Sequence, residues 1–189
     1  LIGVGAVSWY ITLVTNTDVI PEEPTSWADM WGDMPNQLGL LALPANSFLL
    51  EITATTFFGG TDILSTQEGI EEVIGKLEEL GDNVQLWYRD EGQFQQALQS
   101  GEIPMGQYYH DVTGLAAADG FPVRSTFPQE GGVLDSGSWA VTRASDKLEE
   151  AQIFINWFMQ PRGQDLVARS IGTAPTVERE HLSLSDEEF

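Results

Sequence analysis

Apolar and β-branched residues fill positions 4–15, and the run closes on Asn16-Thr17-Asp18, a cluster of turn formers. A strand is predicted there. Ser26 with Asp29 three residues on resembles a capping box with Asp for Glu, and Trp27, Met30 and Trp31 form the apolar face of the short helix it opens. These tryptophans read as packing residues. Residues 39–43 read as a buried strand and Pro44-Ala45-Asn46-Ser47 as the turn after it. The stretch 48–58 is ambiguous by periodicity: its β-branched residues favour strand and its length favours helix.

Further on the pattern sharpens. Ser65-Thr66-Gln67-Glu68 reads as a capping box, and Ile70, Val73, Ile74, Leu77 and Leu80 fall on one helical face that Gly81 ends. The glutamates of this helix read as a solvated face. Residues 84–88 predict a strand, and Asp90 starts a helix with Phe94, Ala97 and Leu98 inward.

Residues 101–110 enter a short apolar strand that ends in Tyr108 and Tyr109. A small-residue helix (113–118), a strand (122–127), the turn Pro128-Gln129-Glu130-Gly131-Gly132 and a third strand (138–142) follow. Strand–helix–strand with short turns builds a parallel sheet whose ligand crevice lies at the carboxyl ends of its strands. Tyr108, Tyr109 and the loop around Asp135 fall at those ends. After residue 141, Asp146 with Glu149 predicts a helix start. Leu148, Ala151, Phe154, Ile155 and Phe158 form its buried stripe, and Pro161 stops it. A second helix covers about 163–170, and the acidic tail 183–189 is expected to fray.

The segments "SGEIPMGQYY", "AAADGFPVRSTFPQEGGVLDSGSWAV" and "EEAQIFINWFMQP" resemble the second half of an extracellular solute-binding protein of an ABC importer, the spermidine/putrescine-binding type above all. The upstream "VTNTDVIPEEPTSWADMW" is similar to that group's hinge strand, asparagine turn and following helix. The resemblance covers nearly the whole chain and rests on the order and spacing of these segments together.

It implies an α/β fold of the periplasmic-binding-protein type (class II), with a mainly parallel sheet flanked by helices and two lobes joined by a hinge. Residues 5–132 would form the second lobe, 136–180 would belong to an incomplete first lobe, and 181–189 would be a tail. It also makes 48–58 a helix ended by Gly59-Gly60, with Asn46 and Ser47 at its N-terminus facing the crevice. Trp9 and Tyr10 would stand where the chain crosses between lobes. The polyamine binders carry carboxylates in the turn occupied here by Asn46 and Ser47, and this chain has none there. Where they place a tryptophan and then an aspartate, this chain has Asp135 and Gly137, with Ser136 between.

Composition narrows the partner. With 29 Asp plus Glu against 8 Lys plus Arg, the formal charge is −21. Nucleic acid and anionic membrane both demand a basic footprint, so neither is expected. There is no cysteine, which excludes disulfides, thiolate metal sites and cysteine nucleophiles. No stretch reaches the ~18–20 apolar residues of a membrane span. The chain has no start methionine and opens on Leu1-Ile2-Gly3-Val4-Gly5, which reads as the middle of a strand. A fragment or processed piece is expected, with the missing first lobe leaving Phe154, Trp157 and Phe158 uncovered.

The expected function is therefore reversible binding of a small solute, without catalysis and without a cofactor, by a periplasmic or surface-anchored component that delivers to an ABC permease in the inner membrane. The candidate ligand residues are Trp9, Tyr10, Asn46, Ser47, Tyr108, Tyr109, Asp135 and Ser136. A phenol face holds a cation for ~0.5–2 kcal/mol, and no lysine or arginine is expected on the cleft side, with Arg124 and Arg143 pointing away. A cationic or neutral solute follows. Adjacent Tyr108 and Tyr109 before His110 also suggest a ferric-ion site, which requires the strand to have ended so that both phenols reach one ion. A ligand-sensing domain of the same fold is a further possibility. No Gly-x-Ser-x-Gly, Walker loop or paired metal-ligand helix supports an enzyme.

Overall fold

The first strand, β1 (Val4–Asn16), is thirteen residues long, and its last six positions are all buried. A computed structural model describes residues 3–43 and 46–185. The opening dipeptide, Pro44 and Ala45 of the turn before the first helix, and the last four residues of the tail lie outside the described residues. The chain divides into two compact units, one holding the chain up to Tyr10 and from Leu134 onward, the other Ile11–Val133. β1 therefore contributes to both, whereas the sequence placed the start of the larger unit at residue 5.

In the larger unit β2 (Leu38–Leu41), β3 (Val84–Tyr88), β4 (Met105–Tyr109) and β5 (Val123–Thr126) join the second half of β1 in the order β3-β2-β4-β1-β5. β2 runs parallel to β3 and β4, but β1 is antiparallel to both β4 and β5. The sheet is thus mixed rather than mainly parallel. The crossover through α4 (His110–Ala118) does return β5 parallel to β4, yet it skips one strand position, and β1 fills that gap running the other way. These residues of β1 are buried without alternation, the polar Thr12, Thr15 and Asn16 included.

The ambiguous stretch is helix α1 (Leu49–Phe58), closed by Gly59 at φ 78, a left-handed conformation that glycine reaches without strain. Its N-cap is Phe48, itself left-handed at φ 52, and no side chain caps it. α2 (Gln67–Glu78) is capped by the Thr66 hydroxyl accepting from the Gly69 N–H, a single cap in place of the expected box, and it ends at Glu79, short of Gly81. α3 (Glu91–Ser100) starts as expected, with the Asp90 carboxylate accepting from the Gly92 N–H.

The core gathers between sheet and helices around Val14, Leu41, Tyr88, Phe94, Leu98 and Tyr108. Phe94 lies flat on Tyr88, with ring centroids 4.9 Å apart and an interplanar angle of 7°. Its ring sits so close to the sheet that a Cβ on Gly39 would stand 2.2 Å from it and one on Gly106 2.5 Å. Glycine at both positions is a condition of this packing. The Tyr88 hydroxyl donates to the Gln107 carbonyl at 2.7 Å, so the buried phenol leaves no polar atom stranded.

The Ser26/Asp29 capping box forms, opening a one-turn 3₁₀ helix (Trp27–Trp31) with Trp27 and Met30 buried, in line with a packing role. Opposite it, the 128–132 turn is clamped in place. Glu130 accepts from the Ser26 hydroxyl and the Trp27 N–H, and Trp27 Nε1 donates to the Gly131 carbonyl at 2.9 Å.

In the smaller unit the first half of β1 pairs with β6 (Val133–Trp139) and β7 (Ala174–Pro175). The expected strand 138–142 is thus displaced toward the N-terminus, and Asp135 lies on a strand, not in a loop. α5 (Leu148–Phe158) and α6 (Pro161–Ile171) complete this unit. Gln164, 1% exposed, donates to the carbonyls of Ala6 and Phe158 and accepts from the Thr176 N–H, tying α6 to β1 and the β7 segment. α5 starts after Lys147 without a side-chain cap, so Asp146 does not cap it. Of its expected buried stripe, Phe158 is buried, whereas Leu148 and Phe154 are exposed, as is Trp157 beside them.

Candidate functional site

The carboxyl ends of β2, β3, β4 and β5 share one edge of the larger unit. The register fixes their relative heights. Gly39 pairs with Leu86 on one side and Gly106 on the other, and Leu41 pairs with Tyr88. Ile11 of β1 pairs with Tyr109. β4 ends at Tyr109, whose extended backbone (φ −78, ψ 131) turns directly into α4.

Because the strand ends there, consecutive tyrosines converge rather than point to opposite faces. The Tyr109 hydroxyl donates to Glu91 Oε1 at 2.9 Å, and the Tyr108 hydroxyl reaches the Glu91 carbonyl at 3.3 Å. Their rings stand 5.1 Å apart. Tyr109 is half-buried, but Tyr108 is only 2% exposed, and its ring belongs to the core against Tyr88 and Phe94. Burial, then the nearby Glu91, Asp111 and Asp90 charges, push its phenol well above the usual tyrosine range. That opposes the phenolate a ferric ion needs. Of the pair, Tyr109 alone is open at this edge, while the Tyr108 ring is packed in the core.

Next along the chain, His110 Nδ1 shares a 2.9 Å hydrogen bond with the Ser125 hydroxyl, which in turn meets the Thr12 hydroxyl at 2.6 Å. The His110 ring packs on Phe127 at 4.9 Å. Burial holds its pKa below the usual range, against the opposing pull of Asp111, and so favours a neutral imidazole. Burial pushes the Asp111 carboxyl up. Hydrogen bonds from the N–H groups of Val112 and Asp111 and the charge of His110 oppose this, while Glu91 adds to it. Asp111 Oδ1 is buried without a hydrogen-bond partner. An acceptor left in that state costs ~1–3 kcal/mol until a donor reaches it.

The basic residues of this unit are Lys76, Arg89 and Arg124. Lys76 pairs with Glu79 and lies over the Phe57 ring. Arg124 donates to the carbonyls of Ile20, Pro21 and Glu22 and to the Thr15 hydroxyl, so it is a structural clamp. Arg89 is exposed, one residue past β3, and makes no hydrogen bond or ion pair among the described residues. The expectation that this edge lacks a basic group is corrected: Arg89 stands on it.

The eight expected ligand residues fall four in each unit. In the larger one, Tyr108 and Tyr109 come together as described. Ser47 is buried, with its carbonyl accepting from Gln107 Nε2, and Asn46 is exposed. Neither caps α1, because Phe48 occupies the N-cap; residues 44 and 45, just before Asn46, lie outside the described residues. An apolar hollow of about 350 Å³ opens here, lined by Leu41, Leu49, Leu50, Leu77 and Trp87 among others.

In the smaller unit, Trp9 lies over Gly137, 3.3 Å from where a Cβ would stand, and its Nε1 is buried without a partner. Tyr10 is half-buried. Asp135 is half-buried on β6 and accepts from the neighbouring Ser136 N–H at 2.7 Å, while Ser136 is exposed. A hollow of about 510 Å³ beside Trp139, Ile155 and Met159 is lined by no charged side chain and by none of these four residues.

Glu91, Asp111 and Arg89 were missed as ligand candidates. The signal was present: Arg89-Asp90-Glu91 closes a strand and opens a helix, the position where α/β sheets bind ligands.

Residues 1–183 match the model of the bacterial extracellular solute-binding protein family, and the chain belongs to that family. It is 26% identical over 179 residues to the gamma-aminobutyric acid-binding protein of Pseudomonas aeruginosa, covering 92% of this chain and 49% of that protein. It is 27% identical over 169 residues to the spermidine/putrescine-binding periplasmic protein of Escherichia coli, covering 87% and 47%. The chain spans about half the length of the curated relatives it matches.

Among solved structures, it superposes with a TM-score of 0.85 on the periplasmic binding protein MotA from A. tumefaciens in complex with glucopine, at 22% identity over 99% of this chain and 59% of that one. It superposes with a TM-score of 0.78 on the spermidine/putrescine substrate-binding protein PotD of Streptococcus pneumoniae, at 18% identity over 99% and 57%. The fold is that of the periplasmic binding proteins.

Proposed function

We propose that this chain forms part of the solute-binding component of an ABC importer, outside the cytoplasmic membrane, and that its solute carries an aliphatic ammonium group. The observation that carries this reading is the convergence of Tyr109, the Glu91 carboxylate and the unpartnered Asp111 oxygen at the carboxyl end of β4. An ammonium donates hydrogen bonds to carboxylates and lies favourably over a phenol face. Both curated relatives are named for solutes that bear such a group. Binding is reversible, with the solute held in a cleft that closes by hinge motion and is then released to a permease.

Thermal-shift screening of the full-length protein against amines, amino acids, sugars and Fe(III), followed by calorimetry, tests this. An amine should stabilise by about 2.7 kcal/mol at 100 times its Kd. Replacing Glu91 by Gln should weaken it by about tenfold, the loss of one charge-assisted hydrogen bond. Stabilisation by a sugar or by iron alone would refute the proposal.

A further inference from the structure

His110 opens α4 directly after Tyr109, and its two ring nitrogens have different surroundings. Nδ1 shares its 2.9 Å hydrogen bond with the Ser125 hydroxyl, which meets Thr12 at 2.6 Å. Nε2, on the other side of a half-buried ring, has no hydrogen-bond partner among the described residues. We propose that His110 is a further solute-binding residue: its neutral ring accepts from the solute's ammonium through Nε2, and protonation of that ring releases the solute. This rests on the amine reading of the same edge.

The hydroxyl pair makes the required tautomer available. An Nε2 that accepts leaves the ring proton on Nδ1, which then donates to Ser125, and Ser125 to Thr12. Both hydroxyls belong to the sheet, Thr12 without exposure on β1 and Ser125 on β5. Phe127 packs on the ring at 4.9 Å and holds its plane.

Electrostatics places the ring beside the acids. His110 and Asp111 lie near enough for each charge to shift the other, and Asp111 carries the buried, unpartnered Oδ1. Glu91 acts on Asp111 in turn and accepts from Tyr109. A primary ammonium has three N–H donors. Glu91, Asp111 Oδ1 and His110 Nε2 supply one acceptor each.

Among the described residues, the other elements packed on the ring add no free charge. β1 presents Thr12. β5 presents Ser125, and its Arg124 is turned to the carbonyls of Ile20, Pro21 and Glu22. Glu130, in the turn beyond Phe127, is held by Ser26 and Trp27. Protonating His110 therefore sets a new cation beside Asp111, which competes with the ammonium and withdraws one of its acceptors.

Calorimetry of the full-length protein from about pH 5.5 to 8 tests this in wild type, His110→Asn and His110→Gln, with putrescine and γ-aminobutyrate as probes. Wild type should hold its affinity near neutrality and lose about tenfold per pH unit once His110 takes up its proton, below the ordinary value of about 6.5. His110→Asn keeps an amide to meet Ser125 but is too short to reach the solute. It should bind about tenfold more weakly at neutral pH, with its remaining pH response confined to the protonation of Glu91 and Asp111. His110→Gln should recover part of the affinity and none of the histidine's pH response. In NMR titrations the His110 pKa should fall when amine binds, with the exposed His181 as an internal reference.

Should His110 titrate identically with and without amine, or His110→Asn keep the wild-type pH response, the His110 proposal falls and the amine reading stands. If neither amine binds at any pH, both fall.

Discussion

Adding one methyl group at Gly106 should break the platform on which the site is built. In Gly106→Ala the new Cβ would lie 2.3 Å from the Gly39 carbonyl oxygen and 2.5 Å from Cζ of Phe94. Neither obstacle yields easily. The first is backbone in a sheet interior, and the second is a ring with no exposure, stacked on Tyr88. Relief requires β2 to part from β4 by on the order of 1 Å, or Phe94 to leave its rotamer; overpacking of this kind costs ~1–3 kcal/mol. With two rigid neighbours the expected loss is at the upper end, about 3 kcal/mol.

Tyr108 and Tyr109 follow Gly106 on the same strand, so amine binding should weaken together with stability. Urea unfolding of the full-length protein, with an unchanged m-value, measures the loss as a shift in midpoint. The double variant Gly106→Ala with Phe94→Leu separates the two obstacles: recovery implicates the ring, and none implicates the carbonyl. A loss below about 0.5 kcal/mol, the level of an ordinary surface substitution, would refute the packing argument.

Other substitutions test local parts of the same account. Gly75 in α2 and Gly114 in α4 have open space where a Cβ would stand, so Gly75→Ala and Gly114→Ala should each stabilise by ~0.5–1 kcal/mol, read from the same urea curves. Burial raises the Glu130 pKa, but hydrogen bonds from Ser26, the N–H groups of Glu130 and Trp27, and Gln129 outweigh it and hold the carboxyl below the usual glutamate value. A depressed folded pKa gives stability that is present above the unfolded value and lost as pH falls through the folded one. Glu130→Gln should therefore be less stable than wild type at neutral pH, and the gap should close at acid pH in thermal melts taken across the range. A gap independent of pH would show that the charge plays no part.

Local chemistry was legible in the sequence, and long-range pairing was not. The strand Val84–Tyr88, the Asp90 cap and the Ser26/Asp29 box depend on residues within a few positions of each other, and all three form. The placement of β1 depends on partners about a hundred residues away, and no periodicity carries that information. The same limit explains Asp135, which was assigned to a loop because the pairing of β6 with β1 was invisible. Tyr109 was recognisable as a strand-end aromatic, but Glu91, its hydrogen-bonding partner, belongs to another helix. The apolar face of α5 was read correctly as amphipathic, yet burial depends on what lies against it, and Phe154 and Trp157 are exposed.

The insertion of β1 also dictates an order of events as the polypeptide matures. Its Thr12 hydroxyl meets Ser125 across 113 residues, and both strands that flank its second half lie beyond residue 104. A nascent chain emerging from the ribosome therefore carries Ile11–Asn16 unpaired until the segment through Thr126 has followed. Contacts this distant in sequence slow folding, because the loop between them must close before the pairing repays its entropy. During that interval an apolar, β-branched strand is open to chance partners. Ile11–Asn16 is thus synthesised well before either flanking strand and is placed only once both are available.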